Sequence, residues 1–293
     1  LPGREVLRAF ESLARDPHGA VALVPLDLLW FIDSYMANGK QRAALRARIA
    51  KLYAPALASL GWSSSAAEPP WRRLFRTHLI RFLALQIEDP VVLAEAARLG
   101  RRVLGIDRDA PHDEAHPERA VAPDLADILL AAAARTGGAD VYNALAAELG
   151  RSEDAQLRQR LIFALGNTRD PTLVERALDL ALDPTLRQNE RLSTLRPLLG
   201  ALATRDAAWS WLVRHFDALA AVLPDRFAGR LPAMLNMCDK QRSEEVRAFF
   251  APRIDQLTGG PRNLAQALES AAQCATRVET QRDSVERYLR ELR

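Results

Sequence analysis

Lysine is nearly missing from this 293-residue chain: Lys40, Lys51 and Lys240 are the only three, and every other basic side chain is Arg. The 40 basic residues face 37 acidic ones, interleaved along the chain, for a net charge of +3. So mild a balance implies no polyanion, and nucleic acid is not an expected partner. Cysteine is scarcer still. Cys238 and Cys274 lie far apart, too few for a disulfide framework and too dispersed for a structural zinc site. The expectation is two buried thiols in a reducing compartment. No apolar run approaches the roughly 20 residues that cross a bilayer, and Leu1–Phe10 lacks the apolar core of a signal peptide. These features point to a cytoplasmic chain without a membrane partner. Aromatics make up only 6%, and the β-branched runs that mark strands are scarce.

Ala and Leu, both strong helix formers, dominate instead, and apolar residues reach 48%, enough for a sizeable core. Apolar positions recur at helical spacing. They predict helices over 4–15, 21–37, 40–60, 71–87 and 90–104. After a polar, proline-interrupted stretch at 105–123, further helices are expected over 124–136, 139–149, 153–166, 171–182, 188–203, 206–222, 225–236, 242–255, 261–275 and 279–291. Asp89-Pro90 and Asp170-Pro171 are helix starts, because Asp accepts from open N–H groups and Pro fits the first turn. The short connections favour antiparallel neighbours. The expected fold is all-α: one domain, 1–293, of degenerate HEAT-like or armadillo-like antiparallel repeats forming a curved α-solenoid, with N-terminal helices to 104 and the main array from 124.

Chemistry-bearing motifs are few. A zinc peptidase helix needs two His one turn apart with Glu directly after the first. His112-Asp113-Glu114-Ala115-His116 has Asp113 at that position, Pro111 before it and Pro117 after it, and residues 128–139 supply no helical carboxylate. A solvated polar loop is the better reading. No Gly-x-Ser-x-Gly elbow or phosphate-cradling glycine loop occurs, and Gly137-Gly138 suits a helix end. His78 and His215 fall within helix patterns as packed or surface residues. Lys40, Arg42, Arg46, Arg48 and Lys51 form a cationic stretch without interleaved aromatics, which favours a solvated helix face over a nucleic-acid stripe.

Several short segments, in order, resemble the C-terminal helical domain of gluzincin-type zinc aminopeptidases, the group of the puromycin-sensitive and endoplasmic-reticulum enzymes. Leu60-Gly61-Trp62 is similar to the family's Leu-Gly-Trp, and Val121–Leu125 to the segment entering its central helices. Gly137-Gly138 with Val141-Tyr142 resembles its Gly…Tyr-Asp turn, with Asn143 in place of Asp. Arg160-Leu161, Ala164-Leu165-Gly166 and Asp170-Pro171 resemble its Leu-Gly…Asp-Pro signature, and Arg187-Gln188-Asn189 its Arg-x-Gln-Asp loop. Trp209, Trp211 and Leu212, then Met237-Cys238, Phe249-Phe250 and Arg262 to Glu269 complete the order. The likeness spans about residues 40–290.

The resemblance implies a non-catalytic wall that encloses the chamber of a separate catalytic domain, contacts the peptide substrate and gates access. In such enzymes the zinc site, its Glu base and the amine anchor lie upstream. No catalytic residue, metal ligand or cofactor is therefore expected here; zinc would belong to the catalytic domain of the same polypeptide. That domain and the peptide are the implied partners. Some family members carry a basic residue near the position of Asn167, which is neutral here. Arg169 or Arg187 could pair with a peptide carboxylate instead. The implied contact set is Asn167, Arg169, Arg187, Gln188 and Asn189. The alternatives are a free-standing HEAT-like interaction scaffold, a nucleic-acid binder of the same architecture, and an enzyme using His112 and His116.

Overall fold

The computed structural model describes residues 3–64, 67–106, 123–235 and 237–292. Every regular element among them is helical, as expected, and the helices group into two compact units: Leu1–Ala133 with Thr280–Arg293, and Ala134–Glu279. The proline-rich stretch at 107–122, with His112 and His116, lies outside the described residues.

The first unit contains α1 (Gly3–Leu13), α2 (Gly19–Leu23), α3 (Leu26–Tyr35), α4 (Gly39–Leu60), α5 (Pro70–Arg81), a π turn (Phe82–Gln86), α6 (Pro90–Val103) and the start of α7 (Ala126–Thr136). The helix expected over 21–37 is broken at Pro25, which has no N–H to give to the preceding turn. Ile128–Ala133, an all-apolar stretch of α7, are all buried, as befits a helix segment that is apolar all round. Glycine permits one close approach: a Cβ on Gly100 of α6 would sit 2.1 Å from the Leu129 carbonyl oxygen.

The cationic stretch of α4 is only in part the solvated face expected: Lys40 and Lys51 are exposed, whereas its three arginines are half-buried and paired. Arg46 makes a bidentate pair with buried Asp33 (2.8 Å to each carboxylate oxygen), and Arg42 donates to the carbonyls of Asp33 and Ala37. Arg48 grips Glu11 at 3.0 and 2.5 Å. These acids lie on α1 and α3, remote in sequence, so helical periodicity could not reveal them. The Tyr288 hydroxyl also donates to Glu11, at 2.7 Å. The Arg48 hydrogen bonds hold the Glu11 carboxyl below its ordinary range, and burial raises the Tyr288 phenol.

The second unit contains α8 (Gly138–Arg151), α9 (Ala155–Leu165), α10 (Pro171–Asp179) with a 3₁₀ turn to Leu182, α11 (Arg191–Gly200), α12 (Arg205–Val222), α13 (Asp225–Ala228), a 3₁₀ turn (Leu231–Met234), α14 (Lys240–Phe250) and most of α15 (Gly260–Glu291). Contacts run α8 to α10 to α12 and α9 to α11, with α8–α9, α10–α11 and α11–α12 as neighbours. This alternation is the two-layer stacking of helical hairpins. Two expected elements differ. The helix over 225–236 is cut short because Gly229 packs backbone to backbone (a Cβ would lie 2.3 Å from the Thr258 oxygen) and Pro232 lacks a donor. The break expected at 275–279 is absent, and α15 runs through it.

The expectation of two separate thiols is overturned. Cys238 and Cys274 are 5.1 Å apart at Cα and disulfide-bonded. Their separation of 36 residues hides a fold that lays the segment before α14 against the middle of α15.

Candidate functional site

The site is built on the α9–α11 pair. Asp154 caps α9 by accepting from the Leu157 N–H at 2.7 Å, and Asp170 caps α10 by accepting from the Thr172 N–H and hydroxyl at 2.9 and 2.7 Å. Those two Thr172 contacts hold the Asp170 carboxyl below its ordinary range. Gly166, just after α9, brings the two helices together: a Cβ there would lie 2.6 Å from the Thr194 carbonyl oxygen of α11.

A buried ion pair fixes the loop that enters α11. Arg158 of α9, 7% exposed, donates from Nε and Nη2 to the two oxygens of Glu190, 1% exposed, at 2.8 Å each. Arg158 also donates to the carbonyls of Leu149 and Ser152, so the guanidinium is satisfied within the fold. Glu190 additionally accepts from the Arg187 N–H at 2.9 Å. The hydrogen bonds from Arg158 outweigh burial and hold the Glu190 carboxyl low, while the same bonds raise the Arg158 guanidinium. Turning back on itself around Glu190, the loop leaves Arg187, Gln188 and Asn189 exposed.

Gln188 and Asn189 open onto a cleft of about 720 Å³. One wall is Gln159 and Phe163 of α9. The second is Leu192, Ser193 and Arg196, three positions on one stripe of α11. Phe227, Arg230, Ala233 and Met234 supply the third, with Asn263 of α15 beside them. Ser193 donates to Gln159 at 3.1 Å, and Asn263 to the Gly229 carbonyl at 2.8 Å, which fixes polar groups on both sides. The lining holds two arginines, several amides and four large apolar side chains, and no acid. Such a surface suits an anionic group carried on an apolar chain.

The expected contact residues divide. Gln188 and Asn189 line the cleft; Asn167, Arg169 and Arg187 do not. Asn167, 3% exposed, accepts from Arg135 at 2.8 Å and donates to the Phe163 carbonyl at 2.9 Å. Arg169 donates to the carbonyls of Asn167 and Thr168. Arg187 faces Glu153 at 3.4 Å and Glu190 at 4.0 Å. Arg158, Glu190, Arg196 and Arg230 were missed by sequence reasoning. Only Arg196 had an available signal, since it falls seven residues after Asn189 on the stripe that continues the loop.

Metal chemistry does not fit these residues. Among the described residues no group of three or more His, Cys, Asp or Glu could hold an ion. Both cysteines are tied up in the disulfide, and His215 stacks on Trp211 at 4.6 Å and bonds the Trp211 carbonyl. No described helix is long and apolar enough to cross a membrane.

Layered helical hairpins around a basic, partly apolar cleft define an α-helical repeat domain. Residues 1–273 match the model of the ERAP1-like C-terminal domain, and the chain belongs to that family. It is similar to aminopeptidase 2, mitochondrial, of Saccharomyces cerevisiae (27% identical over 168 residues, 54% of this chain and 17% of the relative). It is also similar to alanine/arginine aminopeptidase of the same yeast (26% over 162 residues, 54% and 19%) and to glutamyl aminopeptidase of Rattus norvegicus (22% over 139 residues, 46% and 15%). Each alignment thus spans less than a fifth of the relative's length.

Proposed function

We propose that this chain is the non-catalytic C-terminal domain of a zinc aminopeptidase, and that it helps enclose the chamber, contacts the peptide substrate and controls access. Its partners would be the catalytic domain of the same polypeptide and the peptide. Membership of the ERAP1-like C-terminal family and the aminopeptidase names of the relatives support the placement. One observation carries the peptide contact: the cleft of about 720 Å³ holds Arg196 and Arg230 beside Phe163, Leu192, Phe227 and Met234 without an acid. A peptide offers the complement, a terminal carboxylate next to an apolar side chain. Guanidinium pairs with carboxylate in a planar fork, and the apolar walls shed water around it. Gln188 and Asn189 would bond the peptide backbone. In this reading Arg196 and Arg230 take the carboxylate, Arg169 and Arg187 being directed to the fold's own oxygens. Access control would follow from lid-type motion of such a wall.

A Cys238–Cys274 bridge favours surroundings that keep disulfides oxidised, against the cytoplasmic location expected from the sequence.

The test is calorimetric titration of the chain with a nonapeptide ending in Phe, as the free acid and as the amide. The acid is expected to bind weakly, the amide roughly tenfold more weakly, and Arg196→Glu/Arg230→Glu to abolish the difference. Equal affinity for acid and amide would refute the carboxylate contact.

A further inference from the structure

The Cys238–Cys274 bridge joins the segment before α14 to the middle of α15. The 3₁₀ turn (Leu231–Met234) and the connection from it to α14 contribute to the walls of two hollows. Ala233 and Met234 line the basic cleft. Leu235, Met237 and Asp239 line a second hollow of about 210 Å³, together with Trp209, Arg205 and Arg242. Among its described residues, this segment is held by one 3₁₀ turn, with buried Leu231, Pro232 and Met237, and by the Asp239 cap that accepts from the Arg242 N–H. The helices on either side are secured otherwise. α14 buries Val246 and Phe250, with Phe250 against the rings of Trp209 and Phe216, and α15 buries Leu264, Ala271 and Val278. The disulfide is thus the one covalent tie between the connection and α15. Both cysteines are half-buried, within reach of a solvent thiol, and the chain holds no other cysteine to exchange with.

We propose that Cys238–Cys274 is a redox-operated clasp: oxidised, it holds the wall shared by the two hollows against α15, and a dithiol reductant releases that wall while the helical layers stay folded. One thiolate of the reductant attacks a cysteine sulfur, the Cys238–Cys274 bond breaks, and a mixed disulfide forms. The second thiol of the reductant displaces that sulfur. Two electrons and two protons pass to the protein, leaving two cysteine thiols and an oxidised, cyclic disulfide. Release of the connection is a local opening of an irregular part of the unit. The opening itself is independent of the peptide reading; only its effect on peptide affinity rests on it.

The experiment is thiol titration and hydrogen–deuterium exchange of the intact chain before and after treatment with dithiothreitol. No thiol is expected before treatment and two after it. Exchange in peptides spanning residues 229–240 should rise at least tenfold, with α8–α12 unchanged. A Cys238→Ser/Cys274→Ser variant should show the fast exchange with and without reductant. Two titratable thiols in the untreated chain, unchanged exchange at 229–240, or loss of protection throughout α8–α12 would each overturn the clasp. Titration of the Phe-ending nonapeptide separates the two readings. A faster-exchanging wall with unaltered peptide affinity upholds the clasp and counts against the cleft as the peptide site.

Discussion

Glu190 shows how much one side chain can organise. Its carboxylate meets Arg158 in a bidentate pair, accepts from the Arg187 N–H, and so shapes the loop that presents Gln188 and Asn189. Removing one member strands a buried charge, which costs about 3–5 kcal/mol, whereas replacing both by apolar residues is often nearly neutral. Glu190→Gln should therefore lower stability by an amount in that range in urea denaturation, and Arg158→Met/Glu190→Leu should regain most of it. The pH dependence has a definite sign. The folded carboxyl lies below the unfolded value of about 4.3, so its contribution is complete above that value and fades as pH falls through the folded one. The gap between the parent chain and Glu190→Gln should narrow on acidification below about pH 4. A gap that widens would contradict the assignment. None of this was legible beforehand. Arg158 and Glu190 are 32 residues apart, and helical spacing gives a polar residue's face but not the neighbour it meets.

At the scale of elements, the caps were the best-read features. Asp89 and Asp170 accept from the N–H groups of the turns they start, because short acceptors before Pro leave the chain little else to do. Failures fell where tertiary contact overrode local preference. The stretch Thr276–Val278 resembles a helix end by propensity, yet Val278 is buried and α15 continues through it. Gly229 and Pro232 ended a helix that apolar spacing alone would have extended. Gly166 gives the sharpest element-scale test. Its φ of −69° suits any residue, so an added methyl acts only through space. Gly166→Ala should push α9 from α11 at the Thr194 carbonyl and cost roughly 1–3 kcal/mol in thermal denaturation. A neutral effect would show that the two helices are not held in close contact.

For the whole molecule, the family and the all-α class were readable because ordered landmarks and helical periodicity survive low identity. Even the replacement of Asp by Asn143 has a local account: the Asn143 amide oxygen accepts from Arg176, which also covers the Tyr142 ring at 4.7 Å. The cleft was only half readable. Its loop carried a family-like pattern in Arg187-Gln188-Asn189, but Phe227, Arg230 and Asn263 come from segments that meet only in the fold. The disulfide was misread for the same reason, since sequence distance says nothing about two segments laid side by side. The proposed function unites these observations: a wall that would offer binding surface and leave the chemistry to a catalytic domain of the same polypeptide. The most direct measurement is turnover of aminoacyl-arylamides by the purified chain supplied with equimolar zinc. The account predicts no hydrolysis above the zinc-only control. Zinc-dependent turnover that is lost on mutation of His112 would contradict it.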